Sequence, residues 1–312
     1  MATITTEAPA AVPVAATRAP LWRRAPAGLL FVLPFLLFYL AFLVWPTLSA
    51  FVLSFFNESL TGTRGELVGL RNWTEMLGDA AMWSALGNTL YFTALSTPAL
   101  VLTGLVMALL TNRVMPMRWL WRLSFFMPFL LPASVMALIW VWIYQPGFGL
   151  LNAALTSVGL SEQGWLSDPS VAMISVVIAT LWWTAGFNFL LYLAALQQIP
   201  QHLYEAASID GAGWWQRLWS ITLPLLKRTT GLVIVLQLLA SLRLFDQAYL
   251  IYIGSGGPAF SARPILEYVY DTAFTSFRFG YASAISSFFF VLIVVVSVAQ
   301  LKLFPSRRED AR

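Results

Sequence analysis

The chain of 312 residues is 59% hydrophobic and 15% aromatic but only 10% charged, with a mean hydropathy of +0.75. Soluble domains are about 45–50% apolar and about 25% charged, so this is an integral membrane chain. Cysteine is absent, which excludes disulfides, thiol nucleophiles, thiolate metal sites and iron–sulfur ligation together. With His202 as the only histidine, a zinc site or a Ser-His-Asp relay has almost nothing to work with.

Residues 1–20, rich in Ala, Pro and Thr, have little to bury and are expected to form a disordered tail. "WRRAPAGLLFVLPFLLFYLAFLVWP" carries twin arginines, but its apolar run exceeds the about 7–15 residues of an export-signal core, so it reads as an uncleaved first span. A crossing takes about 20 largely apolar residues. Six segments qualify, at roughly 28–55, 84–111, 119–144, 170–197, 229–253 and 281–303. The fold class is therefore all-α and polytopic. Pro34, Pro46, Pro98, Pro128 and Pro132 read as static kinks, tolerated because neighbouring helices can satisfy the freed carbonyls.

Basic residues set the orientation. With the amino terminus inside, thirteen of the eighteen Lys and Arg flank the inner ends of the spans. Arg64, Arg71, Arg263 and Arg278 lie outside, and Arg243 falls within a span. Both termini are thus expected in the cytoplasm. This placement also accounts for the net charge of +4 without a nucleic-acid partner. The outer loops are too short to enclose a solute, so a soluble receptor would be a separate chain.

Between the fourth and fifth spans, "YEAASIDGAGWWQRLWSITLPL" forms a polar, glycine-broken island on the cytoplasmic side. Pro200 suits the first turn of a helix, "PQHLYEAASI" carries good helix formers, and Asp210, Gly211 and Gly213 break it. A second short helix is expected over Trp214 to Ile221, with Pro224 opening the next span. Trp215 and Trp219 are four apart and share a face. Residue types alone leave two readings open: an interfacial helix pair resting at the headgroups, or a docking surface for a cytoplasmic partner.

The wording within the island separates these readings. "EAASIDG", nine residues, then "ITLP" resembles the EAA loop of ABC importer permeases, matching at Glu205, Ala206, Ala207, Gly211, Ile221, Leu223 and Pro224. "VGLRNWTEML", "FFMPFLLPASVMALIWVWIYQPGFGLLNAAL", "WLSDPSVAM", "FDQAYLIYIGSGGP" and "FGYASAISSFFFVLIVVVSVAQLKLF" are similar to other segments of the carbohydrate branch of that family, the maltose-type and glycerol-phosphate-type permeases. The resemblance runs from about Leu21 to Phe304. The Asp246 to Pro258 stretch departs from it, being slightly longer than usual and lacking a threonine.

The resemblance implies a six-helix permease domain over 21–304, with a coupling loop at 200–224 and a short cytoplasmic tail at 305–312. It also implies the partners: a second, similar permease, two nucleotide-binding subunits and an extracytoplasmic solute-binding protein. Glu205 would anchor the first coupling helix on the ATPase and Gly211 would make the turn. The chain has no G-x-x-x-x-G-K-[ST] loop, so ATP and magnesium are expected on the partner subunits and no cofactor on this chain.

By position relative to the loop, Trp183, Thr184, Phe187 and Asn188 before it, and Gln237, Ser241 and Leu244 after it, are the candidates to line a solute path. Arg243 and Asp246, three apart in the fifth span, could pair or touch solute, since ionisable groups inside a membrane default to functional candidates. An ion-coupled carrier would need titratable groups along the path, and only Asp246 qualifies. A membrane enzyme would need convergent acids or metal ligands, and the outer acids are scattered.

Overall fold

Residues 25–58, 65–112 and 117–303 are described in a computed structural model of the chain. The tails expected at 1–20 and 305–312 lie outside these residues. Contacts divide the chain into two units, 1–49 and 50–312.

The described part of the first unit is helical, with α1 (Ala25–Tyr39), a π turn over Leu40–Val44 and the beginning of α2 (Trp45–Leu53). Phe31–Leu53 gives 23 residues of mean hydropathy 2.1, enough to cross a membrane. The wide turn immediately precedes Pro46, whose ring would press on the carbonyl four residues back. Thr47 Oγ1 donates to the Leu43 carbonyl at 2.7 Å beside it.

The second unit opens with a two-residue antiparallel ladder, β1 (Phe56–Asn57) against β2 (Glu66–Leu67). Asn72 of α3 (Arg71–Gly78) holds its base by donating to the Ser54 and Phe56 carbonyls. α4 (Ala80–Thr111) follows, its first N–H groups accepted by the Asp79 carboxylate at 2.9 and 3.3 Å. α8 (below) begins in the same way at Asp168, with proline at the next position.

The third span differs from its expected form. Instead of one kinked helix it is a pair, α5 (Arg118–Phe126) with a 3₁₀ turn over Met127–Leu130, then α6 (Ala133–Ile143), bent by 101°. Pro128 and Pro132 remove two backbone donors within one turn, so the chain goes extended at Leu131 rather than merely bending. The indole of Trp183 donates to the Leu131 carbonyl at 3.0 Å, replacing a bond that the break removes. α7 (Leu150–Ser157) and the long α8 (Pro169–Gln197) follow.

The fifth span also shifts. After α9 (Gln201–Ile209), the segments α10 (Trp214–Arg217), a π turn over Leu218–Thr222 and α11 (Leu223–Leu242) run as one 29-residue helix. The expected boundary at Pro224 is absent because the wide turn lets Leu223 N–H reach the Leu218 carbonyl. The helix stops at Arg243 instead, and α12 (Asp246–Tyr252) is a separate element. α13 (Ile265–Tyr270) and α14 (Phe279–Leu303) complete the chain. Among the described residues, six spans result if the bent pair counts as one.

α4 and α8 form the spine of the second unit. They meet closely at Gly104, where a Cβ would lie 2.7 Å from the Asn188 Cβ and 3.0 Å from backbone atoms of Asn188 and Phe189. Small residues at such contacts let apolar helices approach, since lipid offers no hydrophobic drive for their association. One core joins Phe92, Met136, Trp140, Tyr144, Met173 and Leu244. A second gathers Met76, Met82, Leu242, Ile265 and Ile285, and a third Val101, Phe189, Tyr192, Leu226 and Val233.

At the end of the bundle away from α9, polar bonds fasten the short elements. Tyr144 Oη donates to the Ser175 carbonyl and Tyr252 Oη to that of Ala172. Tyr268 and Tyr281 both donate to Asp79. Burial raises the Asp79 pKa, but these two bonds and the amides of Met82 and Ala81 outweigh it and hold the carboxyl below its ordinary 3.8.

Glu267 of α13 is in the opposite situation. It is fully buried, and neither carboxylate oxygen has a hydrogen-bond partner among the described residues. Burial, with Asp271 nearby, pushes its pKa up from 4.5 to about 7, and the positive charge of Arg263 offsets only part of this. The folded carboxyl holds its proton more tightly than the unfolded one, so its contribution to stability is full below 4.5 and is lost as pH rises to about 7. In detergent, the melting temperature is expected to fall between pH 5 and pH 8, and Glu267→Gln should remove most of that fall. A variant that loses as much as the parent would assign the effect to another group.

Candidate functional site

The island between α8 and α11 is an ordered hook. Pro200 takes the cap position of α9, one residue earlier than expected, with an extended ψ of 129°. α9 ends in a Schellman turn: the Ala212 N–H reaches the Ala207 carbonyl at 2.8 Å, and Gly211 adopts φ +75°. Nothing lies within 4 Å of a Cβ built on Gly211. The requirement for glycine is therefore conformational rather than steric.

Two bonds tie α9 and its turn to the 29-residue helix that follows, and a third lies within the foot of that helix. Arg217 Nε donates to the Ala212 carbonyl at 2.8 Å. The hydroxyls of Tyr204 and Thr222 meet at 2.9 Å, and Thr222 Oγ1 reaches the Arg217 carbonyl at 3.3 Å. The outward surface presents large apolar side chains beside two exposed acids, Glu205 and Asp210. Ile209 is 88% exposed, Trp215 66% and Trp219 65%, as the shared helix face predicts. Glu205, Ala206 and Pro224 are exposed, while Ala207, Ile221 and Leu223 are partly buried. The seven positions thus divide between a presented surface and the packing that supports it.

A cavity of about 250 Å³ opens between α4, the 3₁₀ turn, α8, α11 and α12. Phe129 and Phe187 stack on its wall, ring centroids 5.6 Å apart at 30°, and Phe92 adds a third ring. Thr184, Gln237, Ser241 and Leu244, four of the residues that sequence offered for a solute path, line it. Gln237 is buried and its Oε1 accepts from Asn188 Nδ2 at 3.1 Å. Ser241 Oγ bonds the Thr97 hydroxyl at 3.0 Å. Asn188 is thus behind the wall rather than in it, fixing the amide that is.

Two expectations fail here. Trp183 does not line the cavity, because its indole is engaged at the Leu131 break. Arg243 and Asp246 are exposed, do not line the cavity and form no ion pair among the described residues, because the helix ends at Arg243 and Asp246 starts α12. The three-residue spacing therefore never becomes one helical face. Phe92, Phe129, Thr180, Ala240 and Gln247 line the cavity and were not anticipated. Thr180 and Ala240 were recoverable, lying one turn from Thr184 and on the same helix as Gln237. Phe129 becomes available only through the break, which sequence read as a kink.

The bundle thus combines a broken span, an ordered hook between α8 and α11 and a cavity between the helices that flank the hook. Residues 99–309 match the family described as binding-protein-dependent transport system inner membrane component. The chain belongs to that family and is a permease subunit of an ABC importer. It is 35% identical to the trehalose/maltose transport system permease protein MalF of Thermococcus litoralis, over 92% of this chain and 97% of the relative. It is 32% identical to the sn-glycerol-3-phosphate transport system permease protein UgpA of Agrobacterium fabrum, over 89% and 94%. A bacterial alginate ABC transporter, crystallised with an alginate pentasaccharide-bound periplasmic protein, has a chain with TM-score 0.80 and 25% identity, covering 92% of this chain and 97% of that one.

Proposed function

We propose that this chain is one of two permease halves of an ATP-driven importer for a carbohydrate or glycerol-phosphate-type solute. A separate binding protein delivers the solute from outside. Two nucleotide-binding subunits hold ATP and magnesium on the cytoplasmic side, where both termini of this chain also lie. The α9–Gly211–α10 hook seats on one of those subunits, with Glu205 accepting from it and Ile209, Trp215 and Trp219 supplying apolar contact.

The observation that carries this reading is continuity. The hook is bonded through Tyr204–Thr222 and Arg217–Ala212 to the foot of the helix whose other end carries Gln237, Ala240 and Ser241 into the cavity. At 1.5 Å per residue that helix is about 40 Å long, so a displacement at its foot moves one wall of the cavity. The chain itself performs no chemistry.

Because the chain has no cysteine, a single Ile209→Cys gives an unambiguous reporter. A membrane-impermeant maleimide is expected to label it in inside-out vesicles stripped of peripheral subunits, and to label it several-fold more slowly when those subunits remain. Labelling from the outer side, or at a rate indifferent to stripping, would overturn the docking assignment.

A further inference from the structure

The polar groups of the cavity are three hydroxyls, of Thr180, Thr184 and Ser241, and two neutral carboxamides, of Gln237 and Gln247. Thr180 Oγ1 donates to the Val176 carbonyl and Thr184 Oγ1 to that of Thr180, each at 2.8 Å, and Ser241 Oγ donates to the Gln237 carbonyl at 2.9 Å. Each hydroxyl therefore spends its proton on its own helix, and what it can offer a ligand is oxygen lone pairs. Gln237 Nε2 is an amide donor held in place, because Oε1 is already occupied by Asn188 Nδ2, and Gln247 contributes a second carboxamide to the lining. No ionisable residue lines the cavity among the described residues.

We infer that this cavity selects by charge, admitting uncharged polyhydroxylated molecules and rejecting oxyanions. The inference rests on the reading that the cavity lies on the solute path. A sugar hydroxyl is a donor as well as an acceptor, so it pairs with the lone pairs of Thr180, Thr184 and Ser241, while its C–H faces lie against Phe129 and Phe187. A phosphate, sulfonate or carboxylate brings acceptors only. It would meet hydroxyl lone pairs and at most two neutral amides, leave water without a countercharge, and incur the penalty of an unpaired buried ion. Arg243, the nearest cation in sequence, does not line the cavity. Gln237 is the specificity-determining residue, and Asn188 is a positioning residue that keeps its N–H₂ group toward ligand.

The absence of cysteine allows a test that needs no knowledge of the natural solute. In the assembled complex in membrane vesicles, single cysteines at Ala240→Cys and at Gln247→Cys would be reacted with an uncharged methanethiosulfonate and with its anionic ethylsulfonate analogue. Ser157→Cys, on an exposed segment, supplies the reference ratio, and labelling is read on this chain by mass spectrometry. Relative to the reference, the cavity positions are expected to favour the uncharged reagent at least about tenfold, equivalent to about 1.4 kcal/mol. Adding Gln237→Lys should bring that preference back toward the reference. Equal or faster reaction of the anion at both cavity positions would overturn the charge selection while leaving the path intact. No reaction with either reagent at either position, with Ser157→Cys labelled normally, would instead overturn the placement of the cavity on the path, and the selection with it.

Discussion

Gly211→Val in the hook between α9 and α10 is expected to lower receptor-stimulated ATP hydrolysis and uptake by the assembled complex about ten- to a hundredfold, while the chain still inserts into the membrane. Gly211 sits at φ +75°, where an L residue costs about 1–2 kcal/mol and a β-branched one more. The hook avoids that cost by abandoning its Schellman turn, which moves Glu205 and Ile209 away from the surface they present. At about 1.4 kcal/mol per tenfold, a loss of ten- to a hundredfold in coupled hydrolysis is expected. Gly211→Asn is the informative control, because asparagine accepts the left-handed conformation and open space surrounds the position. It should retain most activity. Equal loss in both variants would place the requirement in contact with a partner rather than in backbone geometry. Glu205→Ala should likewise uncouple the complex without altering the fold, since the side chain is exposed and forms no ion pair among the described residues.

The second large effect is expected at Gly104→Leu. A Cβ there is already 2.7 Å from the Asn188 Cβ and 3.0 Å from the backbone of α8, so a leucine separates the two spine helices rather than repacking between them. Overpacking of this kind costs about 1–3 kcal/mol. The melting temperature in detergent should fall, and because Asn188 is the residue struck, the bond that orients Gln237 should break with it. Leu102→Ala, on the same helix but with its side chain exposed, is the matched control and should change neither. If Gly104→Leu melts like the parent, the close approach of α4 and α8 is not what holds the spine.

Much of this was legible in the residues. The six spans, the hook, its glycine turn and five of the cavity residues follow from apolar length, helix-breaking signals and position relative to the EAA wording. What failed did so for a shared reason, the treatment of prolines and charges as local features. Pro224 looks like a boundary, but a π turn absorbs it and the helix continues. Pro128 and Pro132 look like kinks, but together they break a span and bring Phe129 to the cavity. Arg243 and Asp246 look like neighbours on one helix, but the helix ends between them. Wide turns and broken spans depend on what a neighbour supplies, as Trp183 supplies Leu131, and no local pattern records that supply. The Trp183 indole was misplaced for the same reason: its type suits a sugar, yet its N–H is needed elsewhere.

The most direct test of the central claim is purification of the tagged full chain from its native membrane in mild detergent, with every co-purifying protein identified by mass spectrometry. An ATPase subunit and a second permease should be recovered, and both should be retained by Leu102→Ala and diminished by Gly211→Val. Recovery of the parent chain alone, under conditions that preserve other membrane complexes, would contradict coupling through the hook and favour a carrier that works without a partner.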